Sequence, residues 1–210
     1  MMDNVHIYDH PLIHHKISYL RDKTTSTADF RNLVEELALL MAFEVLADLP
    51  TYDVSVETPL ATAECRRVHE NGIVIVPILR AGLGMVPGFQ KLLPFVRVGH
   101  IGLARNEETH EPEAYYYKMP PGVEDATVIV VDPMLATGGS ACDAIATLKK
   151  HGVKHFKFVC LIASEDGIAR LHREHPDVEI YAAECDPVLN DDAYIVPGLG
   201  DAGDRIFGTL

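Results

Sequence analysis

The chain has 210 residues, 48% hydrophobic and 23% charged, which is enough to bury one full core and leads us to expect a single domain over residues 1–210. A net charge of −13 with no Lys/Arg cluster argues against a nucleic-acid partner, because phosphate-backbone binding depends on clustered cations. No apolar run reaches the length of a membrane span, and the first residues, MMDNVHIYDHPLIHHK, lack the basic and apolar regions of a signal peptide, so a cytoplasmic protein with no membrane partner is expected.

Taken in chain order, Pro11 to Arg21 and Thr27 to Leu49 read as helices, the second apolar enough to lie in the core. Tyr52 to Thr58 alternates like a strand, Ile73 to Leu79 (IVIVPIL) reads as a strand buried on both faces, and Gly82 to Leu93 as a helix bent or begun near Pro87. Val96 to Ala104 is a further strand. Glu107 to Pro121, polar, with three consecutive tyrosines and several prolines, suggests an exposed arm or lid. Val128 to Val131, His155 to Ala163 and Val178 to Ala183 read as strands, separated by helices over Ala141 to Lys150 and Glu165 to Glu174. Such alternation predicts an α/β fold with a mainly parallel central sheet flanked by helices, and ligands at the carboxyl ends of its strands.

Within that pattern the most informative run is VIVVDPMLATGGS, Val128 to Ser140. A buried strand leads through Asp132, Pro133, Met134, Leu135 and Ala136 into Thr137-Gly138-Gly139-Ser140 at the start of a helix. The glycines let the backbone approach an anion, the Thr137 and Ser140 hydroxyls add donors, and the unpaired N–H groups of the first helical turn point at the ligand. Asp132 can accept from sugar hydroxyls, so the set suits a phosphorylated sugar better than a bare phosphate. The plainer reading of TGGS is a helix cap after a tight turn.

Other segments carry further candidates. Arg80 follows IVIVPIL and precedes AGLG, which delivers a guanidinium at a strand end beside a flexible turn, suited to a diphosphate. Gly82, Gly84 and Gly88 miss the G-x-G-x-x-G spacing by one place, which makes a dinucleotide fingerprint a weak reading beside plain close helix packing. Arg105 opens the presumed arm beside Asn106, where a solvated salt bridge is the plain alternative. The stretch YIVPGLGDAGDRIFGT, Tyr194 to Thr209, is too polar and Gly-rich for a packed element and looks like a binding loop anchored by Ile195, Pro197 and Phe207. His10 and His14, four apart on a helix, have the spacing of metal ligands but lack an evident third ligand. Cys65, Cys142, Cys160 and Cys185 form no C-x-x-C pair and read as buried free thiols.

ILRAG, DPMLATGGS and the C-terminal stretch, in that order, resemble the motifs of the type I phosphoribosyltransferases in their uracil-specific branch, and the similarity spans essentially the whole chain. Most relatives outside that branch carry two adjacent acidic residues where this chain has Asp132 and Pro133. The resemblance implies the type I phosphoribosyltransferase fold with a β-arm and a C-terminal base-binding hood, and a reaction of uracil with phosphoribosyl diphosphate (PRPP). It implies that Arg80, Arg105 and Asp201 act at the reacting centre, and that these three together with Asp132, Pro133, Met134, Leu135, Ala136, Thr137, Gly138, Gly139 and Ser140 bind PRPP. It further implies that Ile195, Gly200, Asp201 and Ala202 bind uracil, that Mg²⁺ is held mainly by PRPP and water with no direct protein ligand, and that the protein is a homodimer or homotetramer. Regulation by GTP or CTP is left open. At Asn106 the branch usually has Asp. The rival readings are a PRPP- or nucleotide-sensing regulator on the same fold, and a phosphoribosyltransferase for another base.

Overall fold

A computed structural model of the protein describes residues 4–105 and 112–209. In chain order its elements are β1 (Val5–Ile7), α1 (Pro11–Arg21), α2 (Thr27–Val45), β2 (Thr51–Glu57), β3 (Thr62–Val68), β4 (Ile73–Leu79), α3 (Val86–Leu92), β5 (Arg97–Val98), β6 (His100–Arg105) and β7 (Pro112–Lys118). They continue with β8 (Thr127–Val131), β9 (Met134–Leu135), α4 (Gly139–Lys150), β10 (His155–Ser164), α5 (Glu165–Glu174), β11 (Glu179–Asp186), β12 (Val188–Leu189), β13 (Ile195–Val196) and α6 (Ala202–Phe207).

The main sheet runs β1-β11-β10-β8-β4-β6-β7, with β5 on β4 and β9 on β10. Every pairing in it is parallel except β6 with β7. The strands are buried because both faces are covered, and alternate residues of IVIVPIL go to opposite sides. Ile73 and Ile75 join Ile129, Val131, Val159 and Leu161 under α1, α2 and α3. Val74, Val76 and Ile78 join Val128, Val130, Phe158 and Cys160 under α4 and α5. The C-terminal residues Ile195, Leu199, Ala202 and Ile206 belong to the first of these layers, which places the end of the chain beside α2.

Several boundaries differ from the sequence expectation for identifiable reasons. Helix α2 stops at Val45 rather than Leu49, because Lys157 Nζ takes the Val45 carbonyl at 2.8 Å and Pro50 disfavours helical geometry at Leu49. The strand expected over Val96 to Ala104 is broken at Gly99 into β5 and β6. The segment expected to be an arm contains β7, which returns antiparallel along β6 and extends the sheet; residues 106–111 lie outside the described set. Tyr194 to Thr209 is not loop throughout. Asp201 caps α6 by accepting from the Asp204 N–H at 2.8 Å, and Gly208 ends it in the left-handed region at φ 67°. The cysteines are free, as expected, but only Cys142 and Cys160 are buried; Cys65 on β3 is exposed.

The close-packing reading of the glycines after Arg80 holds. A Cβ on Gly82 would lie 2.4 Å from the Val131 carbonyl oxygen, and one on Gly88 would lie 2.5 Å from the Glu35 carbonyl oxygen and 2.7 Å from Leu39 N. These glycines let α3 and the turn before it press against α2 and β8. Gly88→Ala should therefore destabilise the protein by about 1–3 kcal/mol, the usual cost of overpacking, read as a lower denaturation midpoint in urea.

Candidate active site

Parallel pairing sets the ends of β4 and β8 side by side, with Pro77 level with Val131. Arg80 leaves the first end and Asp132 the second. The Leu79–Arg80 peptide is cis. The Arg80 guanidinium reaches α6, where Nη2 stands 3.3 Å from Asp204 Oδ1 and the group lies 5.8 Å from the centre of the Phe207 ring. Its side chain is half exposed, so it is free to exchange this resting contact for a ligand.

Asp132 sits at the turn between β8 and β9. Its N–H donates to the Val159 carbonyl at 3.1 Å, and its carboxylate accepts from the Met134 N–H. Burial pushes the carboxyl up to about 7, and the negative charge of Asp201 adds to the shift against the opposing Met134 hydrogen bond. Asp132 and Asp201, 69 residues apart in the sequence, are thus near enough for their charges to interact.

Beyond Asp132 the chain is pinned from behind. Pro133 O accepts from Leu161 N and Ile162 N at 3.0 Å each, and Met134 and Leu135 pair with Ile162 and Ala163. The Ala136 carbonyl accepts from Ser164 Oγ at 2.6 Å, and a Cβ on Gly167 would lie 2.4 Å from that carbonyl oxygen. With the carbonyls of Pro133 and Ala136 turned into the protein, the chain swings through Gly138 at φ 76° into the N-terminus of α4. Gly138, in the capping position, makes no side-chain hydrogen bond there, and the one contact inside the turn is a long one of 3.4 Å from Gly139 N to Thr137 Oγ1. The first turn of this twelve-residue helix is thus left without a side-chain cap, and its N–H groups are the ones the TGGS reading assigns to an anion.

A cleft of about 330 Å³ brings this loop and the chain terminus together; Met134 and Ala136 line one wall, and Tyr194, Ile195, Gly200, Asp201 and Ala202 line the other. The terminal loop is held by residues that the sequence reading did not select. Buried Asp186, at the end of β11, receives both terminal nitrogens of Arg21 at 2.7 Å and the Gly198 N–H at 2.9 Å. Arg21 also donates to the Gly198 carbonyl at 2.9 Å. Arg205 donates to the carbonyls of Leu20, Leu199 and Asp22 at 2.7, 2.8 and 2.6 Å, and its guanidinium stacks 4.2 Å from the Phe30 ring centre. These contacts occupy Gly198 and Leu199 and leave Gly200 to Ala202 on the cleft wall. The only sequence trace of the clamp is an Arg in the last turn of a helix and an Asp at a strand end, which are too common to single out.

Other sequence candidates fall outside this cleft. Arg105 closes β6, but its side chain and all of Asn106 lie outside the described residues. His10 and His14 do not share a metal-binding face: His10 Nδ1 caps α1 by accepting from Leu12 N at 3.1 Å, while His14 bonds Asp9 at 3.1 Å. Among the described residues one group could hold a metal, Cys142, Glu174 and His175. In it His175 already uses Nε2 toward the Cys142 carbonyl and Nδ1 toward Lys149.

A parallel sheet with an anion loop after one strand, an arginine after its neighbour and a C-terminal hood defines the phosphoribosyltransferase class. Its fold agrees with that of adenine phosphoribosyl transferase from Trypanosoma brucei, at a TM-score of 0.60 over 94% of this chain and 88% of that one, although the two are only 13% identical. A structure of the AQ2163 protein from Aquifex aeolicus is far nearer, with a TM-score of 0.90 and 38% identity over 97% of both chains. A uracil phosphoribosyltransferase from Anoxybacillus flavithermus is 57% identical over 99% of this chain and 100% of its own length, and one from Exiguobacterium sp. is 58% identical with the same coverage. The family model described as uracil phosphoribosyltransferase matches residues 7–209, and the chain belongs to that family.

The raised Asp132 carboxyl has a consequence for stability. Between its ordinary value near 3.8 and about 7, the folded protein keeps a proton that the unfolded chain has lost, so stability falls as pH rises through that window and levels off above it. Asp132→Asn has no such proton to lose. It should melt higher than the wild type at pH 8, with the difference shrinking toward pH 5; a difference that is constant across that range would show that Asp132 does not titrate there.

Proposed function

We propose that the protein joins uracil to PRPP, forming UMP and diphosphate. The observation that carries this reading is the single cleft shared by the sugar-phosphate loop and the hood, on a chain of this family. In the reaction a bond forms between the base nitrogen and the anomeric carbon, the bond from that carbon to the diphosphate oxygen breaks with its electron pair going to diphosphate, and the base N–H proton is released. Charge gathers on the departing diphosphate while the ribose takes on oxocarbenium character. Fixed cations and backbone donors around the diphosphate lower that barrier.

The roles follow from position. The loop Ala136 to Ser140 holds the 5′-phosphate on the N-terminus of α4, and Asp132 holds the ribose hydroxyls. Pro133, Met134 and Leu135 fix the path between them. Arg80 trades Asp204 for the diphosphate, and the family resemblance gives Arg105, at the end of β6, the same partner. Asp201, next to both the loop and the base, orients PRPP. Main-chain groups at Ile195, Gly200 and Ala202 read the base, which offers an acceptor, a donor and an acceptor along its O2, N3–H and O4 edge.

Mg²⁺ held mainly by PRPP oxygens and water, with no direct protein ligand, suits this site, and Asp201 on the cleft wall would help to orient PRPP and its metal. When bound with PRPP it would neutralise diphosphate charge.

A homodimer or homotetramer is supported by the apolar groove of about 840 Å³ between β1 and α2, around which Ile7, Phe43 and Leu92 stay exposed, Phe43 at 73%. It is supported too by the free-standing hairpin of β2 and β3, with Leu60 at its tip. Free cysteines fit a cytoplasmic setting, and no helix among the described residues is long and apolar enough to cross a membrane.

The test is turnover of radiolabelled uracil, cytosine, hypoxanthine, adenine and xanthine with PRPP and Mg²⁺, in the wild type and in Gly200→Val. Gly200 sits at φ 82° with open space around its Cβ direction, so valine there acts by straining the backbone rather than by filling the cleft. Uracil should be the base used, with cytosine discriminated by a factor near 10⁴, since mispaired buried polar groups reject so strongly. Gly200→Val should lose uracil turnover while PRPP with Mg²⁺ still raises its melting temperature. Equal use of cytosine, or loss of PRPP protection together with turnover, would overturn the assignment.

A further inference from the structure

We propose that Arg170, on α5, is a direct ligand of the sugar 5′-phosphate, adding a charged side chain to a loop that otherwise offers main-chain N–H groups and hydroxyls; the inference rests on the phosphate-loop reading above. One face of α5, made by Gly167, Arg170 and Glu174, runs along the start of α4. A Cβ on Gly138 would lie 3.0 Å from the Gly167 carbonyl oxygen and 3.3 Å from Arg170 Cβ. A Cβ on Gly139 would lie 3.3 Å from Arg170 Nη1 and 3.5 Å from Thr137 Oγ1. The guanidinium and the Thr137 hydroxyl thus both stand close to Gly139 at the N-terminus of α4, where any larger residue would crowd Arg170.

The guanidinium is aimed rather than free. Glu174, one turn along α5, accepts from Arg170 Nε at 2.9 Å, which fixes the inner edge of the fork and leaves Nη1 toward the loop. A cation beside a helix N-terminus has the wrong sign for the helix dipole, although the carboxylates of Glu174 and Asp143 favour its charge. An anion seated between the first-turn N–H groups and Nη1 satisfies both at once. The Arg170 side chain is about one-third exposed (35%), so it can meet a phosphate without leaving Glu174. Arginine, unlike lysine, can hold a carboxylate on one edge and a phosphate on the other.

The experiment is calorimetric titration of ribose 5-phosphate and, separately, of diphosphate into the wild type, Arg170→Met and Arg170→Lys, with steady-state KM values for PRPP and uracil. Arg170→Met should bind ribose 5-phosphate about tenfold more weakly and diphosphate within about twofold of the wild type, with KM for PRPP rising and KM for uracil unchanged, since one charged hydrogen bond is lost at one end of the substrate. Arg170→Lys, which keeps the charge without the fork, should lie between them, and it supplies the same comparison if Arg170→Met does not fold. Equal ribose 5-phosphate affinity in the wild type and the variants, an equal loss for diphosphate, or no ribose 5-phosphate binding by the wild type would overturn the proposal. A wild type that fails to use uracil yet shows the ribose 5-phosphate difference would instead overturn the base assignment and leave Arg170 in place.

Discussion

The carboxylate of Asp186 is only 4% exposed as a residue, and a charge so placed must be fully paired. Arg21 meets it with both terminal nitrogens and the Gly198 N–H supplies a third donor, so one buried anion ties the last turn of α1, the end of β11 and the loop that walls the cleft. The two partners of this pair stand 165 residues apart in the chain. Removing one member of such a pair typically costs about 3–5 kcal/mol, because the other is left buried and uncompensated. Arg205 repeats the device from the other direction, reaching from α6 back to the carbonyls of Leu20 and Asp22. Without these crossings the terminal loop would keep the β12–β13 pairing at Ile195 and Val196 and the buried side chains of Leu199, Ala202 and Ile206, which hold its ends but not the main chain of Gly198 and Leu199 between them.

That distinction matters because base recognition through the main chain is only as exact as the path of the main chain. The sugar-phosphate side is positioned differently. There the parallel register of β4, β8 and β10 sets Arg80, Asp132 and the loop side by side as a consequence of the sheet itself. An acidic chain can build a site for a polyanion in this way because positive potential can be local: a helix N-terminus, main-chain N–H groups and a few arginines are enough.

What could be read in the sequence divides along the same line. IVIVPIL and VIVVDPMLATGGS announce their strands, the loop and the helix that follows, because burial on both faces, the turn glycines and helical spacing are all local signals. The short α6 was missed although Asp201 and Gly208 are ordinary cap signals, since a six-residue helix rich in Gly and Asp carries little apolar periodicity. The end of α2 was misplaced because a buried lysine 112 residues away takes the Val45 carbonyl. Arg21, Asp186 and Arg205 gave no signal beyond their residue types, for their meaning lies in partners that only the fold brings near. Arg170 is of the same kind: in sequence it is one charge on an amphipathic helix, and in space it stands beside Gly139.

The central claim is that the Arg21–Asp186 pair positions the base loop independently of the sugar-phosphate site. The most direct test is the pair of Michaelis constants of Asp186→Asn, measured below its melting transition. The account predicts a KM for uracil raised by about tenfold or more with a KM for PRPP near that of the wild type. A KM for uracil that stays at the wild-type value, or two constants that rise together, would contradict it.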